Sequence, residues 1–159
     1  KLWLGLEGIS LGANATFIDS KVEMTEEEIT GFTSVGVPMR SRDMVFAPEH
    51  LYNFFFSWDV DSWGSRCSLY YTVTGDTLIS GAGQASNQFT PSIYAKEYDT
   101  LNFLFSKRLS EYASLQFRAK NLTDPEIETI YRSRYTGDDR TKSSFTKGAE
   151  FSVSLSVDF

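Results

Sequence analysis

Lys147-Gly-Ala-Glu-Phe-Ser-Val-Ser-Leu-Ser-Val-Asp-Phe159 decides how the rest of the chain is read. Phe151, Val153, Leu155, Val157 and Phe159 alternate without a slip against Glu150, Ser152, Ser154, Ser156 and Asp158. Successive side chains of a strand point to opposite faces, so one face is wholly apolar and the other wholly polar. The length matches the roughly 9–11 residues that cross a bilayer at a tilt. An edge strand of a soluble sandwich is the competing reading. Such a strand rarely ends on an aromatic residue, and serine rarely fills three of its five polar positions.

Working outward, the 159 residues suffice for one domain with a sizeable core. Fifteen Lys and Arg against 21 Asp and Glu give a net charge of −6, which argues against a nucleic-acid surface. Aromatic residues make up 15% of the chain while all apolar residues reach only 41%. That pairing suits strands with one greasy, aromatic-rich face better than a packed two-sided core. Cys67 is the one cysteine, so no internal disulfide forms, and its parity with Leu69 and Tyr71 makes it an inert, apolar-facing thiol. No run of about 18 apolar residues occurs, so no transmembrane helix is expected. The chain opens inside an alternating stretch, Leu2-Trp3-Leu4-Gly5-Leu6-Glu7, with no export signal, as a cut fragment of a longer protein does.

Along the chain, Ile9, Leu11, Ala13, Ala15 and Phe17 predict a long first strand running to about Met24. Thr25-Glu-Glu-Glu28 fits a capping box and predicts one short helical turn. Gly31 to Pro48 reads as a long loop. Tyr52, Phe54, Phe56 and Trp58 mark a second strand, and Asp59 to Gly64 a short turn. Cys67, Leu69, Tyr71 and Val73 mark a third strand, followed by a long loop from Thr74 to Pro91. Tyr98 to Phe105 is the fourth strand, Lys107 to Glu111 a short turn, and Ala113 to Lys120 the fifth strand. Asn121 to Lys147 is a third long loop before the final strand.

The connections therefore alternate long, short, long, short, long. In an up-and-down barrel across an outer membrane, short turns lie on the periplasmic side and long loops outside. Phe159 then falls at the periplasmic end. Asn53, Tyr70, Arg118, Lys120, Glu150 and Asp158 suit the polar lining of a wide, water-filled or plugged lumen. Trp58 and Trp63 flank the first short turn, where an interfacial aromatic girdle belongs. The expected fold is all-β: an antiparallel up-and-down meander of about six strands, part of a large transmembrane β-barrel.

Two stretches carry a family resemblance. Leu115-Gln-Phe-Arg-Ala-Lys-Asn-Leu-Thr-Asp-Pro125 is a strand ending in Asn-Leu-Thr-Asp. Tyr135-Thr-Gly-Asp-Asp-Arg140 precedes the alternating strand that ends in Phe159. Together they resemble the C-terminal end of the barrel of TonB-dependent outer-membrane receptors. Asn14-Ala-Thr-Phe-Ile-Asp-Ser-Lys21 and Pro48-Glu-His-Leu-Tyr-Asn53 are similar to a rising and the next descending strand of that family. The family usually shows Gly-Arg-Thr at the head of the last strand, where this chain has Gly148-Ala149-Glu150, so no role of that arginine carries over.

What the resemblance implies is specific. Residues 1–159 would be the C-terminal portion of a 22-stranded plugged barrel in the bacterial outer membrane, with the plug and earlier strands absent. The receptor would import a scarce nutrient such as siderophore-bound iron, cobalamin or an oligosaccharide. Its partners would be outer-membrane lipid, the remaining strands and plug of the same receptor, the TonB system acting through that plug, and the small-molecule ligand. The terminal pattern Phe151, Val153, Leu155, Val157 and Phe159 resembles the signal read by the outer-membrane assembly machinery.

Chemistry by the chain itself has no candidate. His50 is the only histidine, a zinc site needs three or four ligands, and neither a phosphate-cradling glycine loop nor a nucleophile elbow occurs. No catalytic residue, metal or cofactor is expected, and no nucleic-acid partner. Tyr131, Arg132, Arg134, Tyr135 and Arg140 in the third loop combine cations and aromatics that could hold an anionic or sugar ligand. The bland alternative is that Glu126, Glu128, Asp138 and Asp139 neutralise them. Two other classes compete: a soluble β-sandwich or lipocalin-like binding module, and a passive porin-type barrel. The isolated chain, with two sheet edges, is expected to need detergent or to pair its edges into an oligomer.

Overall fold

The computed structural model describes residues 8–85, 88–133 and 139–158. In chain order the elements are β1 (Ile9–Phe17), β2 (Lys21–Glu23), α1 (Glu26–Ser34), β3 (Ser41–Asp43), β4 (His50–Val60), a 3-10 turn (Asp61–Trp63) and β5 (Ser65–Thr74). Then follow β6 (Thr77–Ser80), β7 (Gly83–Ala85), β8 (Gln88–Thr90), β9 (Ser92–Ala95), β10 (Tyr98–Arg108), β11 (Ala113–Lys120), β12 (Ile127–Arg132), β13 (Arg140–Phe145) and β14 (Glu150–Val157). Six long strands form one open antiparallel sheet in the order β1-β4-β5-β10-β11-β14. Each pairs with the next in the chain, so the expected six-stranded meander is present, with its long and short connections alternating.

Register decides what the faces are. Leu11 lies opposite Phe56, Phe56 opposite Leu69, Leu69 opposite Phe103, Phe103 opposite Ala119 and Ala119 opposite Phe151. Because every pair shares a parity, the apolar halves of all six strands fall on one face, and Cys67 lies there between Trp58 and Phe105. Rings at Phe103, Phe117 and Phe151 run across three strands with centroids 6.1 and 6.4 Å apart. No second sheet covers this face among the described residues. Phe151 is 63%, Val153 69% and Leu155 63% exposed.

The other face is polar and bonds laterally. Asn53 donates to Asn14 at 3.0 Å and accepts from Thr72 at 3.0 Å, Lys120 pairs with Glu150 at 3.3 Å, and Arg66 pairs with Asp59. Phe55, opposite Tyr70, intrudes on this face and lies over Gly12, where an added Cβ would come within 2.0 Å of the ring. Gly12→Leu is expected to destabilise the chain by about 1–3 kcal/mol through overpacking. Combining it with Phe55→Ala should recover most of the loss, and denaturation midpoints of the two variants check this.

Apart from Ala119 and Ser68 on the large sheet, the buried side chains lie elsewhere, in a cap built by the three long loops. β13, β12, β9 and β6 form a second sheet that joins the second loop to the third. Leu78 and Ile130 are its most enclosed side chains, at 1% and 2% exposure. Met24, Phe32 and Ala82 form a further buried cluster with Ile29, Met39 and Phe89 around it, and this packs the first loop against the second.

The structure corrects four expectations. The first strand stops at Phe17 rather than near Met24, because Ile18 bonds back to Glu49 and Lys21–Glu23 pairs instead with Ser41–Asp43. The expected single helical turn is a nine-residue helix. Thr25 and Glu28 do form the predicted capping box, and the helix ends where Gly36 and Val37 bond back to Thr33 and Phe32 with Gly36 at positive φ. So short a helix is marginal alone and is held by its caps and by Phe32. The segments read as plain loops at 31–48, 74–91 and 121–147 carry strands β3, β6 to β8, β12 and β13, and β9 follows directly after the second of them. Finally, β10 runs through Lys107 and Arg108, so the second short turn is narrower than expected.

Candidate functional site

At the long-loop end, all three loops line a cleft of about 420 Å³. The first loop supplies Lys21, Arg40 and Arg42, the second Phe89 and Tyr94, and the third Arg132. Arg40 and Arg42 flank Ser41, and both line the cleft.

Arg132 is the hub. Its guanidinium meets Asp76 of the second loop at 2.7 Å and Asp139 of the third at 3.2 Å, and it stacks over the Tyr94 ring at 4.8 Å. The Tyr94 hydroxyl in turn donates to Asp43 of the first loop at 2.7 Å. Desolvation works against the charge on Arg132, yet the hydrogen bond and charge of Asp76, reinforced by Asp139, raise its pKa above the ordinary arginine value. One side chain thus ties together segments that belong to different hairpins.

The other residues picked out in the third loop have different fates. Tyr131 pairs with Arg140 across β12 and β13, and Lys142 lies 5.9 Å over the Tyr131 ring, away from the cleft lining. Arg140 is exposed. Arg134, Tyr135 and Asp138 lie outside the described residues. Of the acids named as neutralisers, Asp139 does pair with Arg132, Glu126 accepts from Ser144, and Glu128 pairs with Lys96 at 3.1 Å. Phe151, Val153, Leu155 and Val157 stand on the outermost strand of the large sheet, and Phe159 lies outside the described residues.

His50 bonds Glu97 at 2.8 Å and stacks on Tyr52 at 4.7 Å. Among the described residues no group of three His, Cys, Asp or Glu side chains is placed to hold a metal. No helix among them is long and apolar enough to cross a membrane.

Family models, curated proteins and solved structures give no match to this chain.

The geometry does explain the Asn-Leu-Thr-Asp stretch. Asn121 sits at φ +56° and donates its amide to the Gly148 carbonyl at 2.9 Å, while Asp124 accepts from the Gly148 N–H at 2.8 Å. Thr123 donates to the Asp99 carbonyl at 3.0 Å, and Leu122 N–H reaches Leu101. The motif therefore closes the third loop at its base and binds β10, β11 and β14 to one another. Gly148, at φ +79°, supplies the left-handed turn that brings its amide there.

Cap stability has a titrating component. The Glu128 carboxyl is held below the usual carboxylate range, first by the Thr141 hydroxyl and then by Lys96, against a smaller opposing effect of desolvation. A depressed folded-state pKa means that the contribution is complete above the ordinary Glu value of about 4.3 and is lost as pH falls through the lower folded value. Protection factors of the Ile127–Arg132 amides should hold steady from neutral pH to about pH 5 and fall below it. In Glu128→Gln that acid step should shrink.

Proposed function

We propose that this chain is the last six-strand portion of an outer-membrane β-barrel receptor of the TonB-dependent kind, with its apolar face against lipid and its cap outside the cell. One observation carries the reading: an apolar face continuous over six strands, large in its side chains and uncovered. Soluble monomers rarely expose so large a patch. A soluble sandwich would bury this face under a second sheet, whereas here the largest fully buried side chains, Leu78 and Ile130, lie in the cap. The strands contain 8 to 11 residues, close to the span of a tilted crossing. Trp58, Trp63 and Tyr112 gather at the short-turn end, all exposed, where an aromatic girdle would stand.

Lipid excludes open strand edges, so β1 and β14 would be closed by further strands of the same barrel. Nutrient import, the plug and the TonB link rest on the resemblance in the terminal strands and the Asn-Leu-Thr-Asp stretch. The Asn121–Gly148 base and the long loops gathered into one cap are what such a receptor needs to present a ligand site above a lumen.

The face assignment has a direct test. Val153 and Ser154 are neighbours on β14, opposite Phe117 and Gln116. In a Cys67→Ser background, Val153→Cys should resist a water-soluble maleimide and be quenched by a lipid-borne probe in outer-membrane vesicles. Ser154→Cys should behave in the opposite way. Equal labelling of both from water would end the transmembrane reading.

A further inference from the structure

We propose that the cap cleft binds a small organic anion, with its carboxylates on Lys21 and Arg40 and its body against Met39, Phe89 and Tyr94. The lining brings four cations against two carboxylates, Asp43 and Glu49, in a chain whose overall charge is −6. Such a local reversal focuses field lines in a concave site and raises the local concentration of anions.

Not all of those charges are free to act. Arg132 is committed to Asp76 and Asp139, and Arg42 meets Glu28 at 3.4 Å. Asp43 accepts from Tyr94. Lys21 and Arg40 form no ion pair among the described residues, and the cleft lining holds one uncommitted carboxylate, Glu49, with Asp19 beside Lys21 in the adjoining cavity. The unspent charge of the cleft is positive.

Shape then selects the rest of the ligand. About 420 Å³ is far more than an inorganic anion fills and lies within the range of small-molecule sites. Phe89 and Met39 belong to the hydrophobic cluster around Phe32, and Phe89 meets the Phe32 ring edge-on at 6.4 Å. The apolar wall is therefore firmly backed. A neutral sugar would leave Lys21 and Arg40 unused, and a bare phosphate would leave the apolar wall uncovered. An aromatic or branched aliphatic carboxylate uses both. As the cargo of a receptor this ligand rests on the reading above; as a binding site it rests on the cap alone.

Phthalate is a suitable probe, because its dimethyl ester keeps the body and removes the charge. The ¹⁵N-labelled chain in dodecyl maltoside micelles is titrated with phthalate, dimethyl phthalate and inorganic phosphate, with amide shifts followed by residue. Phthalate should saturate, moving amides around Lys21, Arg40, Phe89 and Tyr94, with both controls at least tenfold weaker. Lys21→Gln combined with Arg40→Gln should weaken phthalate at least tenfold without altering other amide positions, because both side chains are exposed. Lys107→Gln, at the other end of the sheet, should bind as the parent does. The proposal is overturned by absence of saturable phthalate binding, by ester or phosphate binding as tightly as phthalate, or by an unaffected double variant. Failure of the lipid-labelling test alongside phthalate binding would remove the membrane reading and keep the site. The reverse pair of results would do the opposite.

Discussion

Ile130→Ala is expected to loosen the cap by about 2–5 kcal/mol, the range for truncating a buried Ile or Leu. Ile130 is 2% exposed on β12, the strand that pairs with β13 on one side and β9 on the other. Truncation leaves a void between two loops joined chiefly through that strand and Arg132. The loss should stay local, because the six long strands pair among themselves without any cap residue. Hydrogen exchange resolved by residue reads this directly. Amides of β6, β9, β12 and β13 should lose protection while those of β4, β5 and β10 keep theirs. Equal loss in both sets would mean that cap and sheet unfold as one unit, and the division between them described above would be wrong.

Val153→Arg should be the most damaging single change on the large sheet. An arginine on the lipid face near the midplane of a barrel costs about 2–4 kcal/mol, and one on the lumen side far less. Ser154→Arg is the matched control, since it shifts the charge by one residue and so to the opposite face. Ser154 faces Gln116, already bonded by Arg118 at 3.0 Å, so a second cation there meets some repulsion but keeps access to water. On the proposed outer-membrane reading, the outer-membrane level of Val153→Arg should fall several-fold below that of Ser154→Arg when both are made in cells. Comparable levels would count against lipid on the apolar face.

The large sheet was legible because each of its strands presents one apolar and one polar side. Period two then marks both the strand and its orientation, and the lengths of the connections give the order. The cap was not legible for the opposite reason. Arg140-Thr-Lys-Ser-Ser-Phe145 has no apolar face, and all six of its residues are exposed. Its strand character comes from pairing with β12, which no local pattern announces. Likewise β9 finds β12 across the whole of β10 and β11. The helix was half legible: its capping box was read correctly, and Gly36 with Pro38 held the stop signal that would have extended it to Ser34.

The site divides in the same way. Arg132 stood out as a cation among aromatics, and its neutralisation by Asp139 followed from nearness in sequence. Asp76 and Tyr94 arrive from another hairpin, so the stacking and the stronger ion pair had no sequence signal. Lys21 was read as the tail of a membrane strand, and Arg40 and Arg42 as loop charge. The cue available was that Arg40 and Arg42 share a parity just after Pro38.

The base formed by Asn121, Asp124 and Gly148 has a bearing on how such loops diversify. Because the two ends of the third loop are bonded together there, residues 125–147 form an insert whose removal or replacement leaves the strands beneath it in register. Taken alone, however, that insert carries β12 away from β9 and Arg132 away from Asp76. The segment that can be exchanged between sheets of this kind without exposing a bare strand edge is therefore the second and third loops together. The cleft also draws Lys21, Arg40 and Arg42 from the first loop, so moving its whole lining in one step takes all three loops.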